Sequence, residues 1–273
     1  FILAQGPRES SVEVLAHNED GTMLVNDFND GQMTIPYYNI STNTTLPQDF
    51  HEESNGTITY EGGESLLGIN VSSQSGAIDW AQVKENGVDF ALIRVGYRGY
   101  KRGQLVLDEN FQTNIAGATE AGIPVGVYFY SKAVTDAEAD EEAAFVLEQI
   151  RGYNVDYPIA FFWEYDYGDN GSLDQASRTI QCNGEQITGF IDAFCQKVED
   201  AGFEASYYAS KSMAYETLDL SRLTQYDLWY AEYRAAPSFY YQFGMWQYTR
   251  EGTVPGISQQ VPITLSFKDY ANN

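Results

Sequence analysis

The chain has 273 residues, with 39 Asp and Glu against 15 Lys and Arg, a formal net charge of −24, and only two His and two Cys. That length suits one large domain, or a domain of ~200 residues plus an extension, and 43% apolar residues with 15% aromatics are enough for a sizeable core, which excludes global disorder. The acidity argues against nucleic acid and anionic membrane surfaces as partners, two cysteines are too few for a disulfide scaffold, and no run of about 18 apolar residues supplies a transmembrane helix.

The chain begins at Phe1 rather than Met, which reads as a processed or truncated product with a signal or membrane anchor upstream. Residues 1–65 hold 11 acids and one base, Arg8, and both histidines, His17 and His51. The stretch is rich in Asn, Thr, Gly and Ser, with short apolar runs at 22–25 and 58–60. It reads as an acidic extension of short strands and loops without a core of its own, packed on the main domain or partly flexible.

From Leu66 to the end, short apolar runs alternate with helical segments. Strands are expected over 66–71, 89–95, 124–130, 158–164, 203–209, 228–231, 245–248 and 261–265. Helices are expected over 79–86, 108–121, 136–151 and 185–201, with Gly87, Gly122 and Gly202 just past three of them. Cys182 and Cys195 lie 13 apart in a mainly helical stretch, beyond disulfide reach, and are expected as unpaired thiols. Strands alternating with helices imply parallel βαβ units. Eight of them in 66–273 suggest an α/β fold: an irregular, TIM-like (β/α) barrel with some late helices short or missing. A doubly wound open sheet is the alternative, but residues 72–78 after the first strand carry no Gly-rich phosphate fingerprint.

In such a barrel the chemistry sits where the strands end. The residues there are Asn70, Tyr97, Tyr130, 162–164, Tyr208, Glu232, Tyr233, Trp246, Gln247 and 262–264, a collar of aromatics, amides and a few carboxylates. It has no His and no Cys, which leaves no Ser-His-Asp triad, no transition-metal site and no expected cofactor. Rings that stack on sugar faces, beside carboxylates, are the composition of a sugar cleft. Sugar contacts are therefore expected from Tyr97, Tyr130, Trp163, Tyr208, Glu232, Tyr233 and Trp246, although Trp163 alternates away from Glu164 and is as well suited to packing outside the barrel.

Several ordered segments carry a family likeness: 68–73 (Gly-Ile-Asn-Val-Ser-Ser), 78–80 (Ile-Asp-Trp), 90–94, 114–118, 121–128, 229–233 and 246–249. Over about 200 residues the chain resembles the family 25 glycoside hydrolases, lysozyme-type N-acetylmuramidases of bacteria and phages. The resemblance implies cleavage of the β-1,4 bond between N-acetylmuramic acid and N-acetylglucosamine. It also implies an Asp on strand one, an Asp-x-Glu on strand four and an Asp on the last strand, with the Glu as general acid. At those places this chain has Asn70, Phe162-Trp163-Glu164 and Pro262, so only Glu164 is retained. The resemblance further implies a monomeric, extracellular or surface-located bacterial protein whose partner is peptidoglycan or another N-acetylated glycan. The Asn-x-Ser/Thr triplets at Asn39, Asn43, Asn55 and Asn70 then read as chance matches in a Ser/Thr-rich chain.

An oxocarbenium-like state needs negative charge or a nucleophile beside it as well as a proton donor. Glu164 can donate, Asn70 carries no charge, and Phe162 should raise the Glu164 pKa by desolvation. Asp166, at i+2 from Glu164, could substitute if the strand continues that far; Glu232 is a second possible partner. Three readings follow: a pseudoenzyme that binds glycan, an active glycosidase with a relocated carboxylate, and a structural surface module.

Overall fold

The computed structural model describes residues 10–273. Strands β1 (Glu13–His17), β2 (Thr22–Asp27) and β3 (Gly31–Pro36) form an antiparallel meander, and β4 (Phe50–Glu52) pairs with β5 (Ile58–Tyr60) as a separate hairpin. Met23, Val25, Ile35, Phe50 and Ile58 are buried in the same apolar cluster as the outer barrel layer. Residues 10–60 therefore bury their apolar side against the barrel, as a stretch too short for a core of its own must.

The barrel begins at β6 (Leu66–Val71) and continues through α1 (Trp80–Glu85), β7 (Phe90–Arg98), the short β8 (Leu105–Leu107) and α2 (Phe111–Glu120). It runs on through β9 (Val125–Ser131), α3 (Asp136–Gln149), β10 (Ile159–Trp163), α4 (Gly184–Asp200) and β11 (Ala205–Ser210), and ends with β12 (Asp227–Ala231), β13 (Met245–Gly252) and β14 (Val261–Ser266). All eight expected strands and all four expected helices are present within a few residues. The open-sheet alternative is excluded, because β6 pairs with both β7 and β14 and closes the ring β6-β7-β9-β10-β11-β12-β13-β14.

Two features depart from the expected pattern. Strand β8 turns back on β7 as an antiparallel hairpin, and β14 runs antiparallel to both of its neighbours. No helix separates β13 from β14, and without a long crossover a strand can return only in reverse. The start of β14, not its end, therefore lies at the barrel mouth. The pair Ile263–Ile69 sets Pro262 level with Asn70.

Helix ends are chemically specified. Asn183 and Gln186 form a reciprocal capping box on α4, and Thr135 caps α3. Gly122 follows α2 with φ +73°, a conformation that needs no Cβ. After β11 only single helical turns remain. Cys195 on α4 and Cys182 ahead of it are buried and unpaired.

Strand alternation divides the core in two. Outward positions such as Ile69, Ile93, Val127, Phe161 and Leu265 belong to the outer apolar layer. Inward positions are largely aromatic: Phe90, Tyr128, Phe162, Tyr208 and Trp229 fill the barrel, with Tyr157 and Tyr270 at its base. Gly68 on β6 leaves room for the Phe90 ring, which a Cβ there would overlap.

Candidate functional site: the barrel mouth

The mouth is built where β6, β9, β10, β11 and β13 end. Asn70 is buried on β6; its Nδ2 donates to Gln247 Oε1 at 2.9 Å, and Thr264 Oγ1 lies 3.5 Å from its Oδ1. Gln247 Nε2 donates to the Tyr233 hydroxyl at 2.7 Å, which also accepts from Arg250 Nε at 2.6 Å. An amide therefore stands where a carboxylate is expected, and its polar atoms are used in a chain running across the mouth to Arg250.

Phe162 stacks on Tyr208 with centroids 3.7 Å apart and planes 10° from parallel, and meets Trp229, Tyr128 and Tyr130 edge-on or tilted. It closes the aromatic plug from above. Pro262, level with Asn70, brings no side-chain polar group. The four positions converge at one end of the barrel, but only one carries charge.

That one is Glu164, directly after β10, with its side chain 27% exposed and Oε1 3.6 Å from an Arg250 guanidinium nitrogen. Burial among the rings raises its pKa; Arg250 and Lys132 pull it back without cancelling the rise, and neighbouring Asp166 adds to it. The desolvation expected from Phe162 and its neighbours thus prevails. Beside Glu164 lies a cleft of about 250 Å³ that Tyr165, Tyr167, Leu173, Ser210 and Glu216 help to line.

Asp166 does not share a strand face with Glu164. Strand β10 stops at Trp163, because the chain turns so that the Asp166 carbonyl accepts from Asp174 N. Its carboxylate is held by Lys132 Nζ at 2.9 Å on one oxygen and by the Ser177 hydroxyl on the other. Lys132, itself buried, also donates to the Glu164 carbonyl at 2.6 Å and lies over the Tyr130 ring. Glu232 is equally occupied: Lys211 Nζ at 2.8 Å, with the Ser238 amide at 2.7 Å and the Ser238 hydroxyl. Lys211 joins Glu232 to Asp27 at 2.8 Å and Asp30 at 2.6 Å, which ties the β2–β3 turn to one side of the mouth.

Three of the rings expected to contact sugar, Trp163, Trp246 and Tyr208, are buried. Trp163 is 2% exposed, with Nε1 donating to the Ala133 carbonyl at 2.9 Å, and Trp246 is fully buried against Phe50, with Nε1 donating to the Glu232 carbonyl at 3.0 Å. Both point outward from the barrel, by the same alternation that turns Glu164 and Gln247 inward, so neither ring is open to a ligand. Tyr208 is buried in the plug. Tyr97, Tyr130 and Tyr233 keep partly or fully exposed rings near the rim. Among the triplets, Asn43 and Asn70 are buried. Among the described residues, no group of three or more His, Cys, Asp or Glu is placed to hold a metal ion.

The sequence reading missed the cations. Arg250 lies on β13 three residues past Gln247, Lys132 directly follows β9, and Lys211 directly follows β11. With so few bases in the chain, three of them at strand ends was a signal that a search for acids alone passed over.

Residues 69–257 match the family model for glycosyl hydrolases family 25. An autolytic lysozyme of Clostridium acetobutylicum is 27% identical over 194 residues, which covers 71% of this chain and 53% of that protein. The chain thus spans about half the length of that relative. The modular autolysin LytC of Streptococcus pneumoniae, at 22% identity, superposes with a TM-score of 0.62 over 93% of this chain and 57% of its own; a second structure of it holds a synthetic peptidoglycan ligand. A family 25 glycosyl hydrolase from Bacillus anthracis, 20% identical, gives 0.62 over 77% of this chain and 92% of its own. At such identities the superpositions speak for the fold, an irregular TIM-like barrel, while the match over residues 69–257 speaks for descent. The chain belongs to glycosyl hydrolases family 25.

Proposed function

We propose that this chain is a lysozyme-like, glycan-binding member of its family with little or no hydrolysis, acting at a bacterial cell wall or cell surface on peptidoglycan or a related N-acetylated glycan. One observation carries this reading: neither the three other positions where the resemblance implies carboxylates nor Asp166 or Glu232 gives Glu164 a free carboxylate. Asn70, Phe162 and Pro262 are uncharged, Asp166 is taken by Lys132 and Ser177, and Glu232 by Lys211 and Ser238. A proton donor alone contributes roughly 10²–10⁴-fold, far below the ~10⁶-fold or more of an enzyme. The mouth nevertheless keeps exposed tyrosine rings, amides and a guanidinium, which suit sugar faces and acetamido groups. The peptidoglycan-bound autolysin of the same fold supports the ligand class.

The second reading, hydrolysis by Glu164 with Asp166 or Glu232, draws support from the raised Glu164 pKa, a shift toward the protonated form that a general acid uses. Release of soluble fragments from labelled peptidoglycan separates the two. Binding without release is the expected result. Robust release that disappears in Glu164→Gln would establish the second reading instead.

A further inference from the structure

A second cavity opens beside the mouth, about 470 Å³ in volume, between the β7–β8 hairpin loop and the ends of β9 and β10. Its walls are Tyr97, Tyr130, Lys132 and Asp166, and its rim is the loop 99–104 with Tyr100, Lys101 and Arg102. From Ala91 to Leu107 the sequence carries four bases (Arg94, Arg98, Lys101, Arg102) and no acid, in a chain where acids outnumber bases 39 to 15. The loop at the rim is thus basic in an otherwise acidic chain. With screening over about 8 Å at physiological salt, the local charges are what a ligand in the groove meets.

Most of these cations are already occupied. Arg94 binds Asp108; Arg98 binds Glu138, Glu141 and Glu142 and donates to the Gly103 carbonyl, which anchors the hairpin loop; Lys132 binds Asp166. Asp166, the one acid in the groove, is thereby neutralised. Lys101 and Arg102 differ. Both are exposed, and neither has a carboxylate partner among the described residues; Lys101 lies over the Tyr100 ring, 5.2 Å from its centroid. The backbone of the loop that carries them is anchored by the buried Arg98, whose Nη1 donates to the Gly103 carbonyl.

The geometry points to a subsite for an acidic saccharide, which extends the glycan-binding reading of the mouth and rests on it. Tyr97, Tyr100 and Tyr130 offer faces for sugar rings, and Lys101 with Arg102 meets an anionic substituent. A neutral sugar would leave the two cations without a partner, and a bare anion would leave the rings without one. Carboxylate and phosphate substituents share this chemistry.

Calorimetric titration of the full chain tests it with three probes: neutral chitotetraose, a hyaluronan tetrasaccharide bearing carboxylates, and an N-acetylglucosamine phosphate. The carboxylated tetrasaccharide is expected to bind about tenfold tighter than chitotetraose at about 0.05 M salt, with the preference gone at about 0.5 M. The double variant Lys101→Gln/Arg102→Gln should remove the preference and leave chitotetraose affinity unchanged. The phosphate probe shows which anion is favoured: its binding, lost in the double variant, adds phosphate to the class, and its failure restricts the class to carboxylates. Equal affinity for the acidic and neutral tetrasaccharides, a preference that survives the double variant, or no binding of either tetrasaccharide overturns the subsite. The mouth reading fails separately, if chitotetraose does not bind at all.

Discussion

Arg250 reaches across the barrel mouth to Glu164, its guanidinium nitrogen 3.6 Å from the carboxylate. The pairing joins Glu164 to a hydrogen-bonded chain that ends, through Tyr233 and Gln247, on Asn70. Two of the places where the resemblance implies carboxylates are thus linked by donors and amides.

Among the influences on Glu164, Arg250 is the largest that lowers its pKa, against a larger rise from burial. Arg250→Met should therefore move the Glu164 carboxyl further up, and the carboxyl carbon shift followed by NMR against pH reads this directly. A downward movement would mean that Arg250 does not act on Glu164 in solution.

Introducing acids at the three uncharged positions tests the proposed lack of hydrolysis. The triple variant Asn70→Asp/Phe162→Asp/Pro262→Asp is expected to release peptidoglycan fragments at a rate at least about 10²-fold above the parent chain. Adding Glu164→Gln should abolish the gain. Phe162 is partly buried and stacked on Tyr208, so Phe162→Ala alone should cost about 2–3 kcal/mol, below the 3–5 of a fully enclosed ring, measured by urea denaturation.

Lys211 holds Asp27, whose side chain is fully buried, together with Asp30 and Glu232. Lys211→Ala leaves the buried Asp27 and Glu232 without their cation and should destabilise by about 3–5 kcal/mol. The double variant Lys211→Met/Asp27→Leu, which removes charge from both sides, should recover part of that loss. Denaturation midpoints of the two variants provide the check.

The same hub gives a pH dependence. Burial alone would raise the Asp27 pKa, but hydrogen bonds from Lys211, Ser238 and the Asn29 amide, with the Lys211 charge, bring it below the ordinary carboxylate value. A carboxyl with a depressed folded pKa contributes stability above its unfolded value, and that contribution is lost as pH falls through the folded one. The β2–β3 meander should therefore loosen on the barrel as pH drops below about 4. Faster amide exchange in 22–36 than in the barrel strands, appearing only in that range, is the expected signature.

Much of the fold was legible because its signals are local. Apolar runs of strand length, helices ended by Gly122 and Gly202, and period-two alternation all survive in a single sequence. The alternation that sends Trp163 outward applies equally to Trp246, and only the structure made the second case plain. Asn70, Phe162 and Pro262 are singled out only through the resemblance, as positions where it implies acids.

What the sequence by itself determined is the family and the barrel, since these rest on residue identity and order. Tertiary structure alone decided how the remaining acids are spent. Lys132 meets Asp166 from a different strand end, Lys211 gathers Asp27 from the extension and Glu232 from the barrel, and Arg250 faces Glu164 from β13. The reversal of β14 likewise followed from chain closure rather than from its own residues. Ion pairs and closure depend on distance in space, which falls off over a few ångströms and bears no relation to separation along the chain.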